Sequence, residues 1–165
     1  MTKLTTRSQP AETTVLVVRL GANLLALPIE WVEEVLPALP IESVPQCPRF
    51  VRGVVFVRGH LIPVLSAAER LGMVDYQRPA EPHIICLRQN HRLIGVEFDE
   101  ALDLMDLNLE ECLTAGQLSA ESGFMRGVVD RDGLIIRLLD PEKLIANEEL
   151  STLRQLPTRR ENATI

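Results

Sequence analysis

The chain repeats itself, and that repetition restricts its fold more than any other feature. Laying residues 50–71 over 124–145, an offset of 74, gives eight identities in 22 positions. Phe50 meets Phe124, Arg52 meets Arg126 and Gly53 meets Gly127. Val54 and Val55 meet Val128 and Val129, Gly59 meets Gly133, Ile62 meets Ile136 and Leu65 meets Leu139. Upstream, an offset of 69 sets VLVVRLGANLLALPIEWV (15–32) over IICLRQNHRLIGVEFDEA (84–101) with the apolar pattern kept. The difference of five residues fits a longer loop in the second half. Self-similarity on this scale means two related structural units.

Each unit reads as β. Val15–Leu20 and Leu24–Leu27 flank Gly21-Ala22-Asn23, residues that tolerate positive φ, and Ile84–Arg88 and Arg92–Phe98 flank Gln89-Asn90-His91. Gly53–Val57 and His60–Leu65 meet at Arg58-Gly59; Arg126–Asp130 and Leu134–Leu139 meet at Arg131-Asp132-Gly133, where Asp-Gly is a hairpin signal. With Val32–Leu36 and Ala101–Met105 the count is about five strands per unit. Five short strands joined by tight turns protect their edges best by closing into a small barrel, and two barrels can bury faces against each other. Helices are few. Ser66-Ala-Ala-Glu69 carries a capping box with Gly72 at its end, and Asp140-Pro141 opens a longer helix to about Leu156. A proline-rich loop (Pro37, Pro40, Pro45, Pro48) and a loop from Asn108 to Gly123 join strands. Residues 1–12 are expected to be disordered and 13–150 to form one domain. Its subdomains are expected at about 13–75 and 80–145, with interleaving allowed, followed by a helix end and frayed tail at 151–165.

Composition narrows the function. At 165 residues the chain can bury one substantial core or two small ones. Seventeen basic against 23 acidic residues, with no basic stripe, exclude nucleic acid as a main ligand. No apolar run is long enough to insert in a membrane, and MTKLTTRSQPAETT lacks an apolar segment, so a cytoplasmic protein is expected. Cys47, Cys86 and Cys112 are odd in number and lack zinc spacing, so they read as reduced thiols, with Cys86 facing a core.

Catalytic machinery is not visible. His60, His83 and His91 stand in or beside predicted turns without spaced partners and read as solvated. Glu33 and Glu34 would face opposite sides of a strand, and Asp99-Glu100 reads as a loop pair. No phosphate-cradling or nucleophile-elbow motif occurs, so no cofactor or metal is expected. What remains is binding. Arg58, at a hairpin tip beside Gly59, is either a solvated charge or an interface anchor. A small-molecule site in the groove between barrels is the alternative.

The order of several short motifs resembles the CheW family: Val32-x-Glu34-Val35, then Pro48 with Gly53-Val54, then Arg58-Gly59 with Pro63-Val64. Gly95-Val96 with Asp99, and Gly127-Val128 running on to Asp140, continue the match over about 13–150. The resemblance implies two five-stranded SH3-like barrels and a non-enzymatic adaptor. It would bind the regulatory domain of a CheA-type histidine kinase and the cytoplasmic tip of chemoreceptors. It also implies partner contacts at Arg58, Gly59, Gly53, Val32, Glu34 and Asp99. Arg52, matched by Arg126, is expected to serve structure in both halves. Three departures from the family pattern point to an adaptor of a pilus-linked or other non-flagellar pathway. These are Ser66-Ala67 after Pro63-Val64-Leu65, Phe56 where Asn or Asp is usual, and Trp31.

Overall fold

A computed structural model of the chain describes residues 12–114, 116–117 and 123–145. Eleven strands run β1 (Glu12–Leu20), β2 (Asn23–Pro28), β3 (Val32–Leu36), β4 (Val51–Val57), β5 (His60–Ser66), β6 (His83–Gln89), β7 (Arg92–Phe98), β8 (Glu100–Asn108), β9 (Leu113–Thr114), β10 (Met125–Arg131) and β11 (Leu134–Leu139). Two single-turn helices, α1 (Ala67–Arg70) and α2 (Pro141–Leu144), follow β5 and β11. The fold is mainly β, as the strand pattern and the resemblance lead one to expect.

The strands form two sheets, in the orders β8-β1-β2-β11-β10-β9 and β3-β6-β7-β5-β4. These sheets do not follow the two halves of the sequence. Hairpin β1–β2 from the first half sits among strands of the second, and β6–β7 from the second sits among strands of the first. The halves therefore exchange their leading hairpins, and the boundary near 75–80 separates repeats rather than sheets. Equivalence between the halves extends to individual pairs. Parallel pairing of β5 with β7 aligns Val64 with Gly95, and that of β11 with β2 aligns Leu138 with Ala26. Those pairs are related by the offsets of 74 and 69. The bulge after Val51 recurs after Met125, and Gly53 and Gly127 occupy the same register against Val64 and Leu138.

The exchange explains why the strands read as continuous apolar runs. On β1, Leu16, Val18 and Leu20 face a central core between the sheets, while Val15 and Val17 face the interior of their own barrel. On β6, Ile85 and Leu87 face the same central core, while Ile84 and Cys86 line the other barrel. Strands buried on both faces carry no polar alternation.

Three further devices fix the ends of elements. The Ser66 hydroxyl accepts the Glu69 N–H at 3.2 Å, but the Ser66 N–H goes to Phe50 O at 2.7 Å, so only half of the expected capping box forms. Gly72 closes α1 with φ +71; its N–H meets Glu69 O, and the Met73 N–H meets Ala68 O, a Schellman pair. Asp140 caps α2 through the Glu142 N–H at 3.1 Å, while the expected continuation to Leu156 lies outside the described residues. Between the barrels, the Arg70 guanidinium lies 4.6 Å from the Phe50 ring and 4.9 Å from the Phe124 ring, the two phenylalanines that the repeat equates.

Candidate functional site

Hairpin β4–β5 turns on two residues, Arg58 (φ 49) and Gly59 (φ 85), and β10–β11 turns on Asp132 (φ 54) and Gly133 (φ 87). Both are left-handed pairs of the kind that suits the twist of a hairpin. Glycine adopts this conformation freely and aspartate tolerates it. Arginine there costs roughly 1–2 kcal/mol, because its Cβ crowds the following carbonyl. The chain thus holds a costly turn residue at the tip where the resemblance expects partner contact. A Cβ placed on Gly59 would meet no atom within 4 Å, so that backbone is open to approach.

Arg58 is tied down at its far end. Its Nη2 donates to Glu34 Oε1, and the side chains stay 69% and 29% exposed. Because β3 and β4 are the two edges of their sheet, this pair spans the gap that closes the barrel. Arg88 Nε donates to Glu33 Oε1 at 2.8 Å alongside it. That hydrogen bond, and next the Arg88 charge, hold the Glu33 carboxyl below the usual range. In the other barrel Arg131 Nη1 donates to Asp106 O, which joins β10 to β8.

The six residues implied by the resemblance separate into two groups. Arg58, Gly59 and Glu34 lie together at the exposed end of one barrel. Val32 lies half-buried on β3, packed against the central core. Gly53 is buried, and a Cβ there would sit 2.1 Å from Glu42 O, so its lack of a side chain lets the segment around Glu42 bridge β4. Asp99 is also buried, at 7% exposure, and is spent internally. It accepts the Gly21 N–H at 2.9 Å, Arg19 Nη1 at 3.3 Å and the Tyr76 hydroxyl. Neither residue offers a side chain to a partner in this arrangement. Asp99 ties the segment between the halves to the β1–β2 turn.

Two other expectations change, for Arg126 and His83. Arg52 does serve structure: Nε donates to Glu97 Oε1 at 3.1 Å, and Arg78 meets the same carboxylate with two contacts of 2.7 Å. Arg126 does not share that duty. It is exposed and has no ion-pair partner among the described residues. The residue that the offset of 69 sets against Glu97 is Pro28, which carries no charge. His83 is not solvated, since its Nδ1 accepts the Ala101 N–H at 2.8 Å. Sequence reading passed over Phe56 as a surface feature. It stands on β4 two residues before Arg58 and is 45% exposed.

The groove of the small-molecule alternative has a counterpart. A hollow beside β2 and β11, under the segment after α1, is lined by Leu20, Leu25, Met73, Phe124, Leu139 and Arg137, among others. Arg137 is its one charged side chain, and no convergent polar set surrounds it. Among the described residues no three His, Cys, Asp or Glu side chains group as a metal site. No helix there is long and apolar enough to cross a membrane.

Comparison with known proteins decides the family. The CheW-like domain matches residues 14–149. The chain belongs to the CheW-like family. The chemotaxis protein CheW of Thermotoga maritima is 31% identical over 122 residues, covering 73% of this chain and 80% of that one. That of Rhizobium meliloti is 28% identical over 137 residues, covering 79% and 86%. The crystal structure of the CheW scaffolding protein of Thermoanaerobacter tengcongensis matches with a TM-score of 0.74 at 21% identity, over 83% of this chain and 94% of that one. The two exchanged sheets are thus the CheW fold, and CheW-family proteins are adaptors of chemotaxis signalling.

Proposed function

We propose that this CheW-family chain couples chemoreceptors to a CheA-type histidine kinase. The end of the barrel around Arg58 would be the surface that meets the kinase regulatory domain. The observation that carries the reading is Arg58 itself, an arginine held at positive φ on an exposed tip and steered by Glu34. Backbone strain of this kind persists where the surroundings over-determine it, and it concentrates at binding surfaces. Glu34 supports the reading by fixing the guanidinium before a partner arrives, which lowers the ordering cost of docking. Gly59 leaves room for a partner backbone, and Val32 lies on the neighbouring strand. In this reading Gly53 and Asp99 act inside the fold, Gly53 under the segment around Glu42 and Asp99 at the β1–β2 turn.

The protein would then have no turnover. It would hold receptor and kinase in one geometry, so that a receptor rearrangement biases the kinase between its states. The work would be done in the cytoplasm, at the receptors' cytoplasmic tips. The departures at Phe56, Ser66 and Trp31 support a pilus-linked or other non-flagellar output. Calorimetric titration with a purified CheA-type regulatory domain is the test. Saturable binding that weakens at least tenfold in Arg58→Ala fits the reading, and no heat with the folded wild-type chain overturns it.

A further inference from the structure

Arg137 is a charged side chain set among buried leucines. Parallel pairing of β11 with β2 places it opposite Leu25, and both line the hollow beside those strands. Leu20, Leu25 and Leu139 of the same lining are buried, whereas Arg137 is half-buried. Among the described residues its guanidinium has no hydrogen-bond or ion-pair partner. A charge held against apolar walls without a partner gives up hydration that nothing in the chain returns.

The repeat shows that the strand itself does not call for this charge. The offset of 74 sets Arg137 against Pro63, which is buried on β5 and uncharged. The rest of the lining is apolar apart from Asn23. Leu71 and Met73 come from the segment after α1, and Phe124 and Met125 from the entry to β10. Thioether side chains such as those of Met73 and Met125 adapt to irregular contents. The free volume is about 160 Å³. An apolar cavity of about 150 Å³ takes up benzene.

We propose that this hollow binds a small monocarboxylate with an apolar body the size of one aromatic ring, its carboxylate paired with Arg137. A guanidinium matches a carboxylate through two parallel N–H donors, so one arginine suffices for a single negative charge. A phosphate carries more charge and acceptors than one arginine and one amide can satisfy. The leucine walls and the Phe124 ring exchange water for the apolar body of the ligand. Leu71 and Met73 follow the five-stranded sheet, while the other lining residues belong to or adjoin the six-stranded one, so a bound ligand touches both. Arg58, Gly59 and Glu34 do not line the hollow, and the inference stands apart from the function proposed above.

The test titrates the full chain with phenylacetate, with its uncharged analogue phenylacetamide and with acetate, which lacks the ring. Phenylacetate should bind saturably with a Kd of about 1 mM or tighter, within what about ten non-hydrogen atoms support. Phenylacetamide and acetate should each bind at least tenfold more weakly. Arg137→Gln should lose at least tenfold toward phenylacetate and little toward phenylacetamide, with thermal unfolding checking that the variant is folded. Hydrogen exchange around Met73 should slow when phenylacetate is bound to the wild-type chain. Absence of saturable phenylacetate binding by the folded wild-type chain overturns the site. Equal affinity for phenylacetate and phenylacetamide overturns the role of charge, and this comparison needs no variant. Unchanged phenylacetate affinity in folded Arg137→Gln overturns the assignment to Arg137.

Discussion

Replacing Arg52 and Arg58 in turn separates two arginines that the sequence writes alike, each followed by glycine. Arg52 meets Glu97, whose side chain is 3% exposed, whereas Arg58 meets Glu34 near the surface. In Arg52→Ala, Glu97 loses a contact of 3.1 Å but keeps the two 2.7 Å contacts from Arg78. A hydrogen bond to a charged group is worth about 1.5–3 kcal/mol. Because the Arg52 side chain is 32% exposed, solvent screening reduces this to about 1–2 kcal/mol. For a domain of this size that lowers the melting temperature by about 2–8 °C. Arg58→Ala should cost at most about 0.5–1 kcal/mol, since exposed pairs contribute little and the left-handed backbone strain is not relieved by alanine. Removing Arg52 and Arg78 together leaves Glu97 buried without a counter-charge, which costs about 3–5 kcal/mol and exceeds the sum of the two single changes. Chemical denaturation of the four variants reads all of these values. An Arg52→Ala loss no larger than that of Arg58→Ala would refute the division of labour between the two residues.

Glycine substitutions should diverge in the same way. Gly53→Ala, whose Cβ would overlap Glu42 O at 2.1 Å, should destabilise by about 3 kcal/mol or more, and Gly59→Ala, in open space at φ +85, by only about 1 kcal/mol. Paired denaturant melts check the ranking. Tyr76→Phe removes the hydroxyl donor to Asp99 and should cost about 1–3 kcal/mol, since it leaves a buried acceptor short of a partner. Hydrogen exchange should then rise first in the segment around residues 73–82. Burial pushes the Cys86 thiol up from 9.0 to about 11, so it should stay protonated and unreactive toward thiol reagents at pH 8 until the protein unfolds. In the unfolded chain the thiol ionises near its ordinary value. The associated stability is therefore complete below about pH 9 and is lost as pH rises toward 11, which unfolding midpoints between pH 8 and 10.5 would register.

Strand content and repeat equivalence were legible because apolar runs and turn residues are local. Identities such as Gly53/Gly127 and Gly59/Gly133 survive because each repeat needs the same backbone angle or close approach. The hairpin exchange was not legible as a definite partition. Interactions within a repeat and between repeats present the same apolar runs, so nothing local says which neighbour β2 or β7 chooses. That Arg58, Gly59 and Glu34 lie together had one local signal, a charged residue at a tight turn, which breaks the local rule. The burial of Asp99 and Gly53 was not legible for a related reason. A motif reports that a residue type is required, and burial, which no single position states, decides whether structure or surface requires it. Strand β9 escaped notice because two residues, Leu113 and Thr114, carry no period. Arg126 misled because its repeat partner Arg52 finds Glu97 on an exchanged strand, while Pro28 stands in the matching place.

The most direct measurement of the adaptor account is a three-component co-sedimentation. Receptor cytoplasmic segments displayed on vesicles are mixed with the kinase regulatory domain, with and without this chain. The account predicts that the kinase domain sediments with the vesicles only when the chain is present, and that Arg58→Ala, while still folded, reduces the amount recovered. Kinase recovery that does not depend on the chain, or receptor and kinase domain competing for it, would contradict the account.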